Sequence, residues 1–283
     1  MLSYEDKEKK KIFIFRGDAN AGIGLGHLNR LAILARAVMA AGEKVVFVVK
    51  ETEPEIIVSN HLSGLSVFKI PRRISNIEEI EYIENEILSS AVPAVFLKIL
   101  IVSRYDVKND YFSRAASIGW KTVFFDDANK FRTDCDIIIN ANLFADQLGY
   151  DKTYKASGTK LLLGPAYYQV RAEFAATGNR AVRKKHCPVV LVTMGGSDFF
   201  NMTGKVIRAL EKMNEEFEIW VLVGSANKRR LEISELCSTG LSRRVIVRED
   251  KNGLADLFSD CDIAITAGGG TNYEMMYLGK PVI

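Results

Sequence analysis

At 283 residues, with 48% apolar and 26% charged side chains, the chain has the make-up of a globular protein of one large or two medium domains. Its 38 Lys and Arg against 35 Asp and Glu leave a net charge of +3, too small for the electrostatic footprint of a nucleic-acid-binding protein. The charged start MLSYEDKEKKK lacks the apolar stretch of a signal peptide, and no apolar run approaches the ~20 residues of a membrane helix, so a cytoplasmic protein without a membrane span is expected.

In chain order, KIFIF (11–15), KVVFVV (44–49), LSVFKI (65–70), AVFLKILIV (94–102), TVFF (122–125) and DIIIN (136–140) read as strands buried on both faces. They are rich in β-branched and aromatic residues and lack polar alternation. Helical spacing occupies 27–41, closed by Gly42, and 76–90, where Asn76 with Glu79 three residues on reads as an Asn-started capping box. A polar stretch at 175–186 reads as a linker, and the pattern then starts afresh. CPVVLVTM (187–194), FEIWVLVG (217–224), RVIVR (244–248) and DIAIT (262–266) read as strands, separated by helices at 202–213, 228–237, 252–260 and 271–278. Alternating strand and helix predicts two parallel α/β units with right-handed crossovers, 1–175 and 186–283. The chain stops at GKPVI, where another strand has just begun, so the second unit is expected to be incomplete. The basic runs at 179–186 and 227–230 read as solvated. Cys135, Cys187, Cys237 and Cys261 form no C-x-x-C pair, and His27, His61 and His186 are scattered, so neither a metal site nor a cofactor is expected. The pattern leaves self-association open.

Each unit opens with a strand, a glycine-bearing turn and a helix: FRGDANAGIGLGH in the first, VTMGGSDFFNMTG in the second. A third such turn, TAGGGTNYE (266–274), comes later. Glycine lets backbone approach a ligand, and a helix N-terminus offers free N–H groups and positive dipole, which suits phosphate. The candidate binding groups are Gly24, Gly26, Gly195, Gly196, Ser197, Asp198, Asn201, Gly268, Gly269, Gly270, Thr271 and Asn272. GIGLGH is not the dinucleotide pattern G-x-G-x-x-G, and no Gly-Lys-Ser/Thr triplet marks a P-loop. His27 sits where a helix begins, so the dipole keeps its ring neutral and able to accept a proton. Asp18 is placed to orient that ring or to hold a sugar hydroxyl, and Arg16 and Arg30 to neutralise phosphate, with pairing to a helix-face acid the equal alternative for Arg30. Glu274 opens the last helix, either as a dipole partner or as an acceptor for both ribose hydroxyls. Asp126 and Asp127 are paired carboxylates that could serve as a general acid/base pair or a metal site, but adjacent residues of an extended segment point to opposite sides, which favours loop capping with one of them lining the cleft.

FRGDANAGIGLGHLNRLAILA (15–35) resembles the opening of the pseudaminic-acid-pathway UDP-sugar hydrolases and the related spore-coat polysaccharide biosynthesis proteins. Arg16, Asp18, Ile23, Gly24, Gly26, His27 and Arg30 fill that pattern. The likeness continues through FFDDANKFRTDCDIIINAN, KLLLGPAYYQVRAEF, MGGSDFFNMTG and AGGGTNYEMMYLGKP. The second unit is also similar to the nucleotide-binding half of the peptidoglycan N-acetylglucosaminyl transferase. The resemblance implies an α/β, GT-B-like fold of two Rossmann-like domains whose parallel sheets face a central cleft. It implies a metal-independent hydrolase that releases UDP from a UDP-linked diacetamido-deoxy sugar in surface-polysaccharide and nonulosonic-acid biosynthesis. His27 would activate water, the second unit's loops would hold UDP, and Glu274 its ribose. Where the family carries Asp-His-Tyr after the fourth strand, this chain has Ser103, Arg104 and Tyr105, which leaves Tyr105 as a catalytic candidate beside His27 and Asp18. A glycosyltransferase, with an acceptor hydroxyl in place of water, and a non-catalytic nucleotide-sugar-binding protein are the alternatives.

Overall fold

A computed structural model describes residues 10–20, 25–53, 62–89, 96–177, 186–224, 227–239, 241, 244–249 and 253–283. The first of two compact units, Met1–Gln169, is built on a seven-stranded parallel sheet. Its strands are β1 (Lys11–Gly17), β2 (Lys44–Val49), β3 (Val67–Lys69), β4 (Leu97–Ser103), β5 (Lys121–Phe125), β6 (Ile137–Asn140) and β7 (Lys160–Leu163), in the order β3-β2-β1-β4-β5-β6-β7. Successive residues feed opposite faces. Ile12, Ile14, Val46, Val48, Leu100 and Val102 enter one core, and Phe15, Phe47, Val49, Ile99 and Ile101 enter the other. A sheet covered on both sides needs this near-continuous apolar character, which is why its strands read as unbroken runs.

Helix α1 (Gly26–Ala40) lays Leu28, Leu31, Ala32 and Ala35 on the second core, one stripe at helical spacing. Helix α2 (Glu78–Tyr82), continued by a wider π-helical turn at Ile83–Leu88, and helix α3 (Asn109–Ser117) cover the other face with Ile80, Ile83, Ile87, Tyr111 and Phe112. The cap of α2 differs from the expected one. Ser75 accepts from the Glu78 amide at 3.3 Å, and the Glu78 carboxylate accepts from the Ser75 amide at 2.9 Å. The capping box is therefore one residue earlier than Asn76 and Glu79, and Glu79 is turned into the interior instead. A single turn, α4 (Tyr150–Thr153), precedes β7. Strand β7 and helix α3 escaped the pattern reading. A four-residue apolar run such as KLLL carries no period of its own.

The second unit, Val170–Ile283, begins earlier than residue 186 and earlier than the expected close of the first domain at 175. The reason is α5 (Ala172–Thr177), which seats Phe174 in a core with Val189, Leu191 and Phe258. Residues 178–185 of the expected linker lie outside the described residues. A four-stranded parallel sheet in the order β10-β9-β8-β11 forms from β8 (Val189–Thr193), β9 (Glu218–Val223), β10 (Val245–Glu249) and β11 (Ile263–Thr266). Helices α6 (Met202–Glu211), α7 (Arg230–Thr239), α8 (Leu254–Asp260) and α9 (Gly270–Tyr277) connect and cover them. After α9, Val282 pairs in parallel with Ala264 of β11, so GKPVI does enter strand pairing. No helix among the described residues is long and apolar enough to cross a membrane.

Candidate functional site

In both sheets the strand order reverses once: between β1 and β4 in the first, and between β8 and β11 in the second. Connections leave such a pair of strands on opposite faces, which opens a crevice at their carboxyl ends where open α/β sheets bind ligands. The register sets Gly17 of β1 beside Ser103 of β4, and Thr193 of β8 beside Thr266 of β11. Each of the three glycine turns comes directly after one of these four strands, and His27, Ser103 and Tyr105 follow or end β1 and β4. Gly24 lies outside the described residues.

In the first unit His27, in the first turn of α1, is buried. Its Nδ1 lies 2.8 Å from Ser103 Oγ and 3.0 Å from Arg30 Nη2, and Tyr105 meets the ring edge-on with centroids 4.3 Å apart. Arg30 grips Asp127 with both terminal nitrogens, at 2.7 and 2.5 Å, and the Tyr105 hydroxyl donates to the same carboxylate at 3.3 Å. Burial first, and then the neighbouring Arg30 guanidinium, push the His27 pKa down to about 4 against the opposing pull of Asp127. The ring is therefore neutral at pH 7. Burial alone would raise the Asp127 carboxyl, but Arg30 holds it below the usual carboxylate range. Burial and Asp127 raise the Tyr105 phenol, so it stays protonated and able to donate. Tyr105 is 71% exposed, the open edge of an otherwise enclosed cluster. Gly26 has open space where a Cβ would stand.

Two expected site residues are placed elsewhere. Arg16 is 0% exposed, donating to Glu79 at 3.0 Å from both Nε and Nη2 and to Asp18 at 2.7 Å. A side chain with no solvent-facing surface meets no substrate phosphate in this arrangement. Asp18 does not orient the His27 ring: its Oδ2 takes Arg16, and its Oδ1 accepts from the Lys50 and Glu51 amides at 2.6 and 2.9 Å and from Thr52 at 3.2 Å. Asp18 thus ties the loop after β1 to the end of β2, and Ser103 and Arg30 take the role at the ring. Sequence reasoning missed Ser103 as a partner because it stood only as a departure from a family triplet. Asp127 was half visible: Asp126 turns inward to accept from the Ala128 and Asn129 amides at 3.1 Å, the loop-capping role, while its neighbour reaches Arg30.

In the second unit the turn after β8 exposes Gly195, Gly196 and Ser197, with Gly195 at φ +71°. Asp198 is buried and accepts from the Met202 and Thr203 amides at 2.7 and 3.1 Å. It thereby occupies the first free N–H groups of α6, which the sequence had reserved for phosphate. Asn201 stands at φ 51° in the turn this closes. The start of α9 is different. Gly269 caps it with no side-chain bond, no acid lies in its first turn, and Gly268, Gly269 and Gly270 are exposed. Thr271 is next in the first turn, and Asn272 accepts the Thr266 hydroxyl. This helix N-terminus keeps its dipole open to an anion. Glu274 is buried and held by Arg171, whose Nε and Nη2 donate to its two oxygens at 2.6 and 2.8 Å.

Gly224, just after β9, is a further residue the pattern did not single out. A Cβ there would strike the carbonyl oxygens of Gly195 and Gly196, backbone that cannot step aside as a side chain would. Gly224→Ala is expected to displace the turn and to lower stability by about 1–3 kcal/mol, as overpacking does. Urea unfolding checks this, and a variant within about 0.3 kcal/mol of the wild type would contradict it.

No family model matches the chain. It is 23% identical over 271 residues to the uncharacterized protein MJ1062 of Methanocaldococcus jannaschii, covering 94% of this chain and 54% of that one. It is 28% identical over 166 residues to the spore coat polysaccharide biosynthesis protein SpsG of Bacillus subtilis, covering 58% of this chain and 48% of that one. The chain thus spans about half the length of these two relatives. It is also 22% identical to the UDP-2,4-diacetamido-2,4,6-trideoxy-beta-L-altropyranose hydrolase of Campylobacter jejuni, over 94% of this chain and 88% of that one. Among solved structures, the UDP-GlcNAc 2-epimerase of Neisseria meningitidis bound to UDP-GlcNAc superposes with a TM-score of 0.59 at 13% identity, over 96% of this chain and 81% of that one. MurG of Acinetobacter baumannii does so with a TM-score of 0.58 at 13% identity, over 92% and 73%. The chain is thus a distant relative of the spore-coat protein and the hydrolase, and its fold is the α/β GT-B-like fold of these structural neighbours.

Proposed function

We propose that this chain is a nucleotide-sugar hydrolase, splitting a UDP-linked diacetamido-deoxy sugar into free sugar and UDP in surface-polysaccharide synthesis. The observation that carries the reading is the His27 ring, neutral and enclosed at the β1–β4 crevice in a chain distantly related to a hydrolase of that substrate class. Water attacks the anomeric carbon, the bond from that carbon to the diphosphate oxygen breaks, and UDP leaves with the electron pair. The water's proton goes to a neutral acceptor, the role assigned to His27. Arg30, Asp127 and Tyr105 surround the ring and set its electrostatics. In the second unit, the open start of α9 and the exposed glycines after β8 are assigned to UDP, and Glu274, pre-set by Arg171, to the ribose hydroxyls. No step calls for a metal.

Incubation with UDP-2,4-diacetamido-2,4,6-trideoxy-β-L-altropyranose should release UDP without an acceptor. Turnover only when a sugar acceptor is added would replace hydrolysis by glycosyl transfer. UDP binding by calorimetry with no turnover under either condition would leave a binding protein.

A further inference from the structure

The proton on the neutral His27 ring can be located from its neighbours. Arginine has only donors and keeps its charge at any working pH. Arg30 Nη2 stands 3.0 Å from Nδ1, and a hydrogen on Nδ1 would face a guanidinium N–H head on. Ser103 Oγ, 2.8 Å from the same nitrogen, is a hydroxyl that can donate or accept. The form that suits both neighbours has a lone pair on Nδ1. Among the described residues the other titratable groups at this site, Asp127, Tyr105 and, acting on Arg30, Tyr168, do not reverse that. Asp127 is engaged by Arg30 through both oxygens, and Tyr105 touches the ring by its edge while its hydroxyl points to Asp127.

We infer that Arg30, fixed by Asp127, is a positioning residue that holds His27 in its Nε2–H form, and that Nε2 becomes a proton acceptor only when Arg30 leaves Nδ1. On its departure one proton goes from Nε2 to solvent and another arrives at Nδ1, with no change in ring charge. Ser103 then turns from donor to acceptor. Ser103 is thus the residue that serves both forms, donating in one and accepting in the other. After burial, the larger cause, the same cation adds to the ring's resistance to a second proton, which would have to sit on Nδ1 against Arg30. The tautomer itself is independent of the hydrolytic reading, and only its catalytic consequence rests on that reading: an enzyme at rest presents a donor, and its base is uncovered when Arg30 is drawn elsewhere.

The tautomer is readable without substrate, so its failure and that of the hydrolase reading are separable. Long-range 1H–15N correlation on protein labelled at its three histidines, with the His27 signals identified by their loss in His27→Gln, reports which nitrogen carries hydrogen. The wild type should show Nε2–H. Arg30→Met should show Nδ1–H and a ring that titrates at higher pH. Arg30→Lys, which keeps a cationic donor, should retain Nε2–H, as should Ser103→Ala. A wild-type ring protonated at Nδ1 overturns the inference, as does an unchanged tautomer in folded Arg30→Met or a flipped one in Ser103→Ala. Should Arg30→Met fail to fold, the wild-type and Ser103→Ala spectra still decide.

Discussion

His27→Ala is expected to reduce UDP release by about 10²–10⁴-fold, the usual range for a lost general acid–base group, with the unfolding free energy little changed. Among the described residues the ring's polar contacts are Ser103 and Arg30 at one nitrogen, so its removal leaves Arg30 still paired with Asp127. The companion expectation concerns pH. Base action needs the neutral ring, so kcat/KM falls when the ring takes a proton, on the acid side. An ordinary histidine would place that limb near about 6.5. Here burial and Arg30 bring the ring to about 4, so the profile should stay level from pH 7 to about 5 and fall only below that. Rates taken in brief pH excursions, before unfolding sets in, separate this limb from loss of structure. A limb at the ordinary histidine value in the wild type would mean that burial and Arg30 do not depress the working ring, and UDP release unchanged in His27→Ala would remove His27 from the chemistry.

How far the sequence reaches is set by how local the physics is. Strands buried on both faces announce themselves by composition, so ten of the eleven strands among the described residues were readable, while β7, an edge strand with no fully buried residue, was not. Glycine turns ahead of helices were equally legible, and they do mark the strand ends where each sheet reverses order. What pattern could not supply is side-chain pairing across the fold. Arg16 and Asp18 stand close to the loop that carries His27, and their spacing alone made them substrate groups. Arg16's partner Glu79 is 63 residues away, and its own local pattern disguised it as a helix cap, while Asp18 is held by Arg16 and by the Lys50 and Glu51 amides. Ser103 and Asp127 reach the site from β4 and from the loop after β5 by long-range closure, 76 residues from His27 in the first case and 97 from Arg30 in the second. Asp198 shows the converse. Its position in a glycine turn suggested a ligand group, whereas two helix amides one turn on already engage both its oxygens.

The largest stability effect is expected at Glu79. This carboxylate has no exposed surface and stands at the centre of a buried group of charges behind the β1–β4 crevice. It receives Arg16 twice at 3.0 Å, Arg104 at 2.8 Å, Lys50 at 3.2 Å and the Tyr111 hydroxyl at 3.4 Å. Three cations thus converge on it, with Asp18 and Asp106 completing the balance at Arg16 and Arg104. Removing one member of a buried ionic cluster leaves the others desolvated and unpaired, which costs about 3–5 kcal/mol. Glu79→Gln keeps the shape, and its amide oxygen can still accept, but it withdraws the charge, so a loss of that order is expected at pH 7. The pH dependence distinguishes charge from shape. Burial alone would raise the Glu79 carboxyl, but Arg16, Arg104 and Lys50 hold it below its ordinary value, so the folded state binds its proton less readily than the unfolded chain. Such a group contributes its full stability above the unfolded pKa of about 4.3 and loses it as pH falls through the lower folded value. The gap between wild type and Glu79→Gln in urea unfolding should therefore be widest near neutrality and close below about pH 4. Asp18, lowered in the same direction by Arg16 and the Lys50 amide against its own burial, remains in both proteins. A gap that stays constant from neutral pH to about pH 3.5 would mean that the side chain's shape, and not its charge, holds Arg16 and Arg104 in place.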